Sequence, residues 1–277
     1  MINPCVDIAF KKIFGVEENK DLLMSLINAI VCEDDQVDEV SLLNPYNERN
    51  FKQDKLSVLD IKARNKHNGT YFLIEMQLAD ETYSNQLKSG EGYGQLNRTI
   101  AIHILNFTFI HYDTSTQGWE VFAPQKYHHR FVLCDQETRI EFFKDIEIHT
   151  IELNKFAGAR VKHLEKILPQ IKDKLDRWVT VLTRYNLLNR QALPSKIDYP
   201  EIKKALDVME KMHMSKVERE IYESHLDFLR MEASVLEKRF LDGQEEGLTM
   251  GMEKGLTMGM EKGLTMGMEK GRQEGLV

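Results

Sequence analysis

The sequence predicts a mixed α/β (α+β) core followed by a helical extension, and three observations carry that reading. Apolar residues recur at three-to-four spacing over residues 7–31, they alternate over 37–43, 56–63 and 71–78, and from Val161 onward the pattern is helical again. With 277 residues and 42% hydrophobic content, the chain is long enough for one mixed domain with a sizeable core plus a helical addition.

The first segment reads as two short helices. Ile8, Phe10, Ile13 and Phe14, then Leu22, Leu23, Leu26, Ile27 and Ile30, keep helical spacing, and Gly15 interrupts the run. Three strands follow the acidic loop Glu33 to Asp35. Between the second and third, Asn68-Gly69 signals a hairpin, because both residues tolerate the positive φ that a type I′ turn demands. A helix is expected over Tyr83 to Phe109, with extended chain at Trp119 to Ala123, Tyr127 to Cys134 and Asp145 to Leu153. Further on, Pro169 marks a helix start or kink, and Val217 to Phe240 forms a long charged helix. Met214 just before it and Ile221, Phe228 and Val235 within it fall seven apart, which suits packing either on another helix or on the helix's own domain.

The tail is a true internal repeat. Glycine stands at every fourth position from Gly243 to Gly275, and the octad Gly-Leu-Thr-Met-Gly-Met-Glu-Lys occurs three times from Gly247 to Lys270. Each glycine costs a helix about 1 kcal/mol relative to alanine, so the tail is expected to be disordered or helical only on assembly. The expected divisions are a core at 1–155, a helical region at 156–242 and the repeat tail at 243–277.

Composition narrows the function. The net charge of -7 gives no broad positive field, so a polyphosphate partner has to be met locally. Cys5, Cys32 and Cys134 stand far apart with no CxxC pair, which suggests neither a disulfide framework nor a zinc site and fits a reduced cytoplasm. No basic-then-apolar leader and no run of about 18 apolar residues is present, so no membrane partner is expected. Adjacent His128 and His129 project to opposite faces of a strand, and the other histidines show no ligand spacing. GxSxG and P-loop patterns are also lacking.

The remaining chemistry converges on the hairpin. A two-residue turn at Asn68-Gly69 pairs His67 with Thr70, which sets Lys62 opposite Glu75 and Asp60 opposite Gln77. Asp60, Glu75 and Gln77 then share one face, while Leu59, Ile61, Ala63, Phe72, Ile74, Met76 and Leu78 press the other face on the core. Directly opposed residues lie about 5 Å apart and diagonal ones about 7 Å, so Asp60 and Glu75 can converge on one hard divalent cation, Mg2+ or Mn2+. Such an ion serves phosphodiester hydrolysis. A solvated antiparallel face also carries acids and amides for no catalytic reason, and that reading stands beside the first. Arg49, Lys52, Lys55, Lys62, Arg64 and Lys66 form a local basic run suited to a phosphate backbone.

Several segments together resemble a known family. Asp-Ile-Ala-Phe-Lys-Lys-Ile-Phe-Gly at 7–15, Leu-Asp-Ile-Lys-Ala at 59–63, Ile-Glu-Met-Gln at 74–77, Gln86-Leu87, Gly92-Tyr93, Ile102 to Phe107, Ile148 to Phe156 and Glu218 to Glu223 are similar in order and spacing to the Rpn family. These are recombination-promoting nucleases and transposases with the PD-(D/E)XK restriction-endonuclease-like core. The resemblance implies a magnesium-dependent deoxyribonuclease in which Asp60 and Glu75 bind metal and Gln77 takes the place of the lysine that orients the attacking water. It implies DNA as partner, with recombination or transposition as the setting; apart from the resemblance, the C-terminal helices offer a surface for homo-oligomer formation. Only Leu78 to Asn85 separate the Glu-x-Gln strand from the Gln-Leu element, a shorter helical segment than the family usually has. The alternative is therefore a catalytically degenerate DNA-binding or self-assembling protein, or a regulatory module that recruits a partner through its tail.

Overall fold

A computed structural model describes residues 2–46, 61–76, 97–108, 126–141, 143–156, 161 and 163–274. Helix α1 (Asp7–Phe14) has Asp7 in its first turn and Lys11 and Lys12 in its last, charges that complement the helix dipole. Gly15 caps it, and a Cβ there would stand 2.7 Å from the Lys11 carbonyl oxygen, a separation that only glycine avoids. Helix α2 (Lys20–Ile30) buries Leu22, Leu23, Leu26, Ile27 and Ile30. Both helices match the expected pair, with the break at Gly15.

Six strands follow: β1 (Val40–Leu42), β2 (Ile61–Asn65), β3 (Tyr71–Met76), β4 (Thr99–Leu105), β5 (His128–Leu133) and β6 (Phe143–Glu152). They form one mixed sheet in the order β1-β2-β3-β4-β6-β5, with β3, β4 and β6 parallel and the other neighbours antiparallel. The sheet gives an α/β architecture with flanking helices, in agreement with the expected fold class.

Two expectations are corrected. Thr99 to Leu105 lies within the stretch read as helical over 83–109, yet it is a central strand. Its sequence Thr-Ile-Ala-Ile-His-Ile-Leu is rich in β-branched residues, and pairing on both edges within a covered sheet removes the alternation that betrays a half-buried strand. The hairpin is present, but its loop has four residues instead of two. Asn65 N–H donates to the Thr70 carbonyl, and Lys66 to Gly69 form the loop. Asn65 Oδ1 accepts from His67 N–H at 2.8 Å and Asn68 Oδ1 from Thr70 N–H at 3.0 Å, and Gly69 alone of the loop takes positive φ, at 77°. Lys62 consequently faces Leu73 instead of Glu75. The slip is an even number of residues, so Lys62 and Glu75 keep a common face and Ile61, Ala63, Phe72, Ile74 and Met76 keep the buried one. The expected segment 119–123 lies outside the described residues.

The chain past residue 155 shares the same core. Helix α3 (Leu164–Ile167) precedes a short turn containing Pro169. Helix α4 (Lys174–Arg184) opens on a reciprocal capping box between Asp173 and Asp176. Trp178 of α4 is buried edge-on to Phe14 at 5.4 Å, and its indole N–H donates to Ser25 Oγ. Helix α5 (Pro200–Lys211) adds Ile202, Ala205, Leu206 and Met209 to the core. Residues up to Tyr222 form one compact unit, and a second begins at Glu223.

Helix α6 (Lys216–Glu274) starts inside the first unit, where Ser215 and Glu218 cap it reciprocally. Glu218 is buried and also receives the Lys12 ammonium at 2.8 Å and the Tyr46 hydroxyl. Burial pushes the Glu218 carboxyl up, but these donors outweigh it and hold the pKa below its ordinary value. Lys12, one of the basic residues of α1, therefore anchors the last helix to the core. In the second unit α6 runs on through the octads to Glu274. No helix of the described residues is long and apolar enough to cross a membrane.

Candidate active site

Glu75 sits near the end of β3, a strand flanked by β2 and β4, and is buried on the face opposite the hydrophobic core. Sheet register sets it in a cross-strand row with His103 on β4, Thr150 on β6 and His129 on β5. His103 Nδ1 lies 3.6 Å from Glu75 Oε2. Farther along this face, Glu152 is buried, with Lys155 Nζ at 2.9 Å and His129 Nε2 at 3.8 Å. Lys62 shares the face through its partner Leu73 and stands diagonal to Glu75.

Asp60 and Gln77, the other two expected site residues, lie outside the described residues. Their chain neighbours Ile61 and Met76 are described: Ile61 pairs with Ile74, and Met76 closes β3. Of the basic run, Arg64 stacks over the Tyr71 ring at 5.4 Å and Lys66 pairs with Glu39. Among the described residues, no group of three or more His, Cys, Asp or Glu is placed to hold a metal ion. Carboxylate and amide oxygens, the groups that the expected residues Asp60, Glu75 and Gln77 carry, are donors that a hard divalent cation accepts.

A second polar group crosses the opposite face at the β5 edge. Buried Glu147 accepts two bonds of 2.7 Å from Arg130, one of 2.9 Å from Arg98 and one of 2.7 Å from His149 Nε2. Arg98 also reaches buried Asp35 at 2.8 Å. His149 Nδ1 meets His128 Nε2 at 2.8 Å, and the two rings stack. Burial drives the Glu147 carboxyl up, but the Arg130 and His149 hydrogen bonds win and hold it down at about 2. An ionised Glu147 draws the proton of His149 onto Nε2, which leaves Nδ1 to accept from His128. Burial, aided by the charges of His149 and Lys126, lowers His128 to about 4. Burial also lowers His149.

This cluster gives the protein an acid limb. The unfolded histidines titrate near 6.5 and bind protons that the folded ones refuse, so this part of the stability is full above pH 6.5 and falls toward pH 4. Glu147 adds a further loss as pH drops from 4.5 toward 2. Melting temperatures measured between pH 7.5 and 4.5 are expected to decline, and the decline is expected to be shallower in His128→Phe.

The mixed sheet, with an acid on β3 and a basic neighbour on β2, is the framework on which the sequence comparison bears. A family model described as PD-(D/E)XK nuclease family transposase matches residues 4–239, and the chain belongs to that family. The match covers the sheet, helices α1 to α5 and the first part of α6. Membership supports a nuclease or transposase-like function and a restriction-endonuclease-like α/β fold. No curated protein and no solved structure matches the chain.

Proposed function

We propose that the protein is a divalent-metal-dependent deoxyribonuclease that hydrolyses phosphodiester bonds in DNA, with Asp60, Glu75 and Gln77 as its site and recombination or transposition as its setting. The observation that supports it best is the placement of Glu75. The sequence commits a carboxylate to the polar face of a strand in the middle of the sheet, in a family whose fold is built for cutting nucleic acid. Asp60 adjoins Ile61 in the sequence, and Ile61 pairs with Ile74, the neighbour of Glu75, which supports reading the two acids as a pair.

Asp60 and Glu75 would hold Mg2+ or Mn2+, and the bound ion would supply charge neutralisation at the phosphate and a water of lowered pKa. Gln77 can hydrogen-bond that water and orient it, but an amide does not accept a proton near neutral pH. Lys62, diagonal to Glu75 on the same face, is placed to meet a backbone phosphate. The protein is read as cytoplasmic. Supercoiled plasmid incubated with Mg2+ and wild-type protein is expected to be nicked, and Asp60→Ala protein is expected to leave it intact. Equal nicking by both proteins, or none by either, rejects the proposal.

Helix α6 favours a second activity, self-association. Met250, Met252, Leu256, Met258, Met260 and Leu264 are all more than half exposed on it, a concentration of apolar surface unusual for a solvated helix. A protein truncated after Leu241 that sediments like the full chain would remove this reading.

A further inference from the structure

Two polar atoms in the cross-strand row of Glu75 are buried without a hydrogen-bond partner among the described residues, His103 Nδ1 and, one strand farther, Thr150 Oγ1. Such atoms are scarce in folded proteins, because a buried polar group that makes no bond has lost its hydration without compensation. Both belong to the row that contains Glu75, since His103 faces Glu75 across β3 and β4 and Thr150 faces His103 across β4 and β6. The separation of 3.6 Å between His103 Nδ1 and Glu75 Oε2 is just beyond bonding range. A side-chain adjustment of under about 1 Å closes it to the length of a charge-assisted hydrogen bond.

We propose that His103 is a positioning residue of the nuclease site: its Nδ1–H donates to Glu75 Oε2 and fixes the carboxylate in the orientation that ligates a divalent cation. The inference rests on the reading of Glu75 as a metal ligand. Ligating carboxylates are themselves held by hydrogen bonds, and loss of such a partner typically costs 10–100-fold in metal affinity or activity. The imidazolium and the Nδ1–H tautomer both carry a proton on Nδ1, so the donor does not depend on the charge of the ring. Strand β4 is paired along both edges, which holds the backbone under His103 in register with Glu75.

The test is a calorimetric titration of Mn2+ into full-length wild-type, Glu75→Gln, His103→Ala, His103→Asn and His103→Gln proteins, with melting curves of each. Asparagine puts an N–H where Nδ1 stands, whereas glutamine puts one nearer Nε2. His103→Ala and His103→Gln are expected to weaken Mn2+ binding about 10–100-fold, and His103→Asn to keep wild-type affinity. Unchanged binding in His103→Ala, or equal loss in the asparagine and glutamine variants, overturns the proposal. The asparagine and glutamine comparison decides it even if the alanine variant fails to fold. Binding lost in Glu75→Gln but kept in His103→Ala defeats this inference alone. Wild-type binding that survives in Glu75→Gln, or no wild-type binding at all, defeats the Glu75 assignment and this inference with it.

Discussion

Glu147→Ala is expected to cost about 3–5 kcal/mol of folding stability, the usual consequence of removing one side of a buried charged group. Glu147 is almost fully buried and binds Arg130, Arg98 and His149 at 2.7–2.9 Å. Its removal takes the shared carboxylate from two guanidinium groups, of which Arg98 keeps Asp35, and deprives His149 of the acceptor that fixes its tautomer. Arg130 and Arg98 keep part of their hydration, so much of the loss comes from the orphaned imidazole pair and the vacated volume. For a unit of this size the change amounts to a fall of about 6–20 °C in melting temperature. Glu147→Gln, which keeps the shape and one acceptor, is expected to lose less. A fall of under about 2 °C in Glu147→Ala would show that the network contributes little.

Glu75→Gln is expected to reduce metal-dependent nicking by about a hundredfold or more while leaving the melting temperature close to wild type. The amide fills the same buried volume, so the sheet has no reason to open. It lacks the charge that holds a hard cation, and the loss of several kcal/mol of transition-state stabilisation sets the size of the effect. Plasmid nicking measured across a range of Mg2+ concentrations separates the causes. A loss that high Mg2+ restores places the defect in ion binding, and one it does not restore places it in the chemical step. Full activity in the variant would remove Glu75 from the site.

The parts of this fold that follow from local periodicity are legible in the sequence. Phe72, Ile74 and Met76 alternate with Tyr71, Leu73 and Glu75, which gives both the strand and its buried face. Gly15 breaks the first helical run where the backbone permits no Cβ. Asn68-Gly69 locates the hairpin, but the loop length is set by side-chain acceptors on Asn65 and Asn68 that hold four residues between the strands, and a count of residues does not reveal them. Strand β4 is hidden for a different reason, since an apolar run covered on both faces has no period to read.

What the sequence leaves unread is chiefly register between distant strands. His103, Thr150 and Glu75 have no common motif, and only the ladders joining β3, β4 and β6 bring them into one row. His128, His149 and Glu147 are assembled in the same way, so histidines without ligand spacing in the chain still meet in the fold. Nothing local in the sequence links Lys12 to its partner Glu218, which lies in the last helix. Residues of α4 and α5 join the apolar cluster to which α1 and α2 belong, a union of distant segments that local periodicity does not announce.

The central claim is that Asp60 and Glu75 hold a divalent cation that the enzyme needs to cut DNA. Its most direct test is calorimetric titration of Mg2+ into wild-type and Asp60→Ala proteins, with plasmid nicking measured in the same buffer. The account predicts saturable binding and nicking in the wild type and the loss of both in Asp60→Ala. Identical titrations, with nicking absent from both proteins, would contradict it and leave a nuclease fold that works by binding alone.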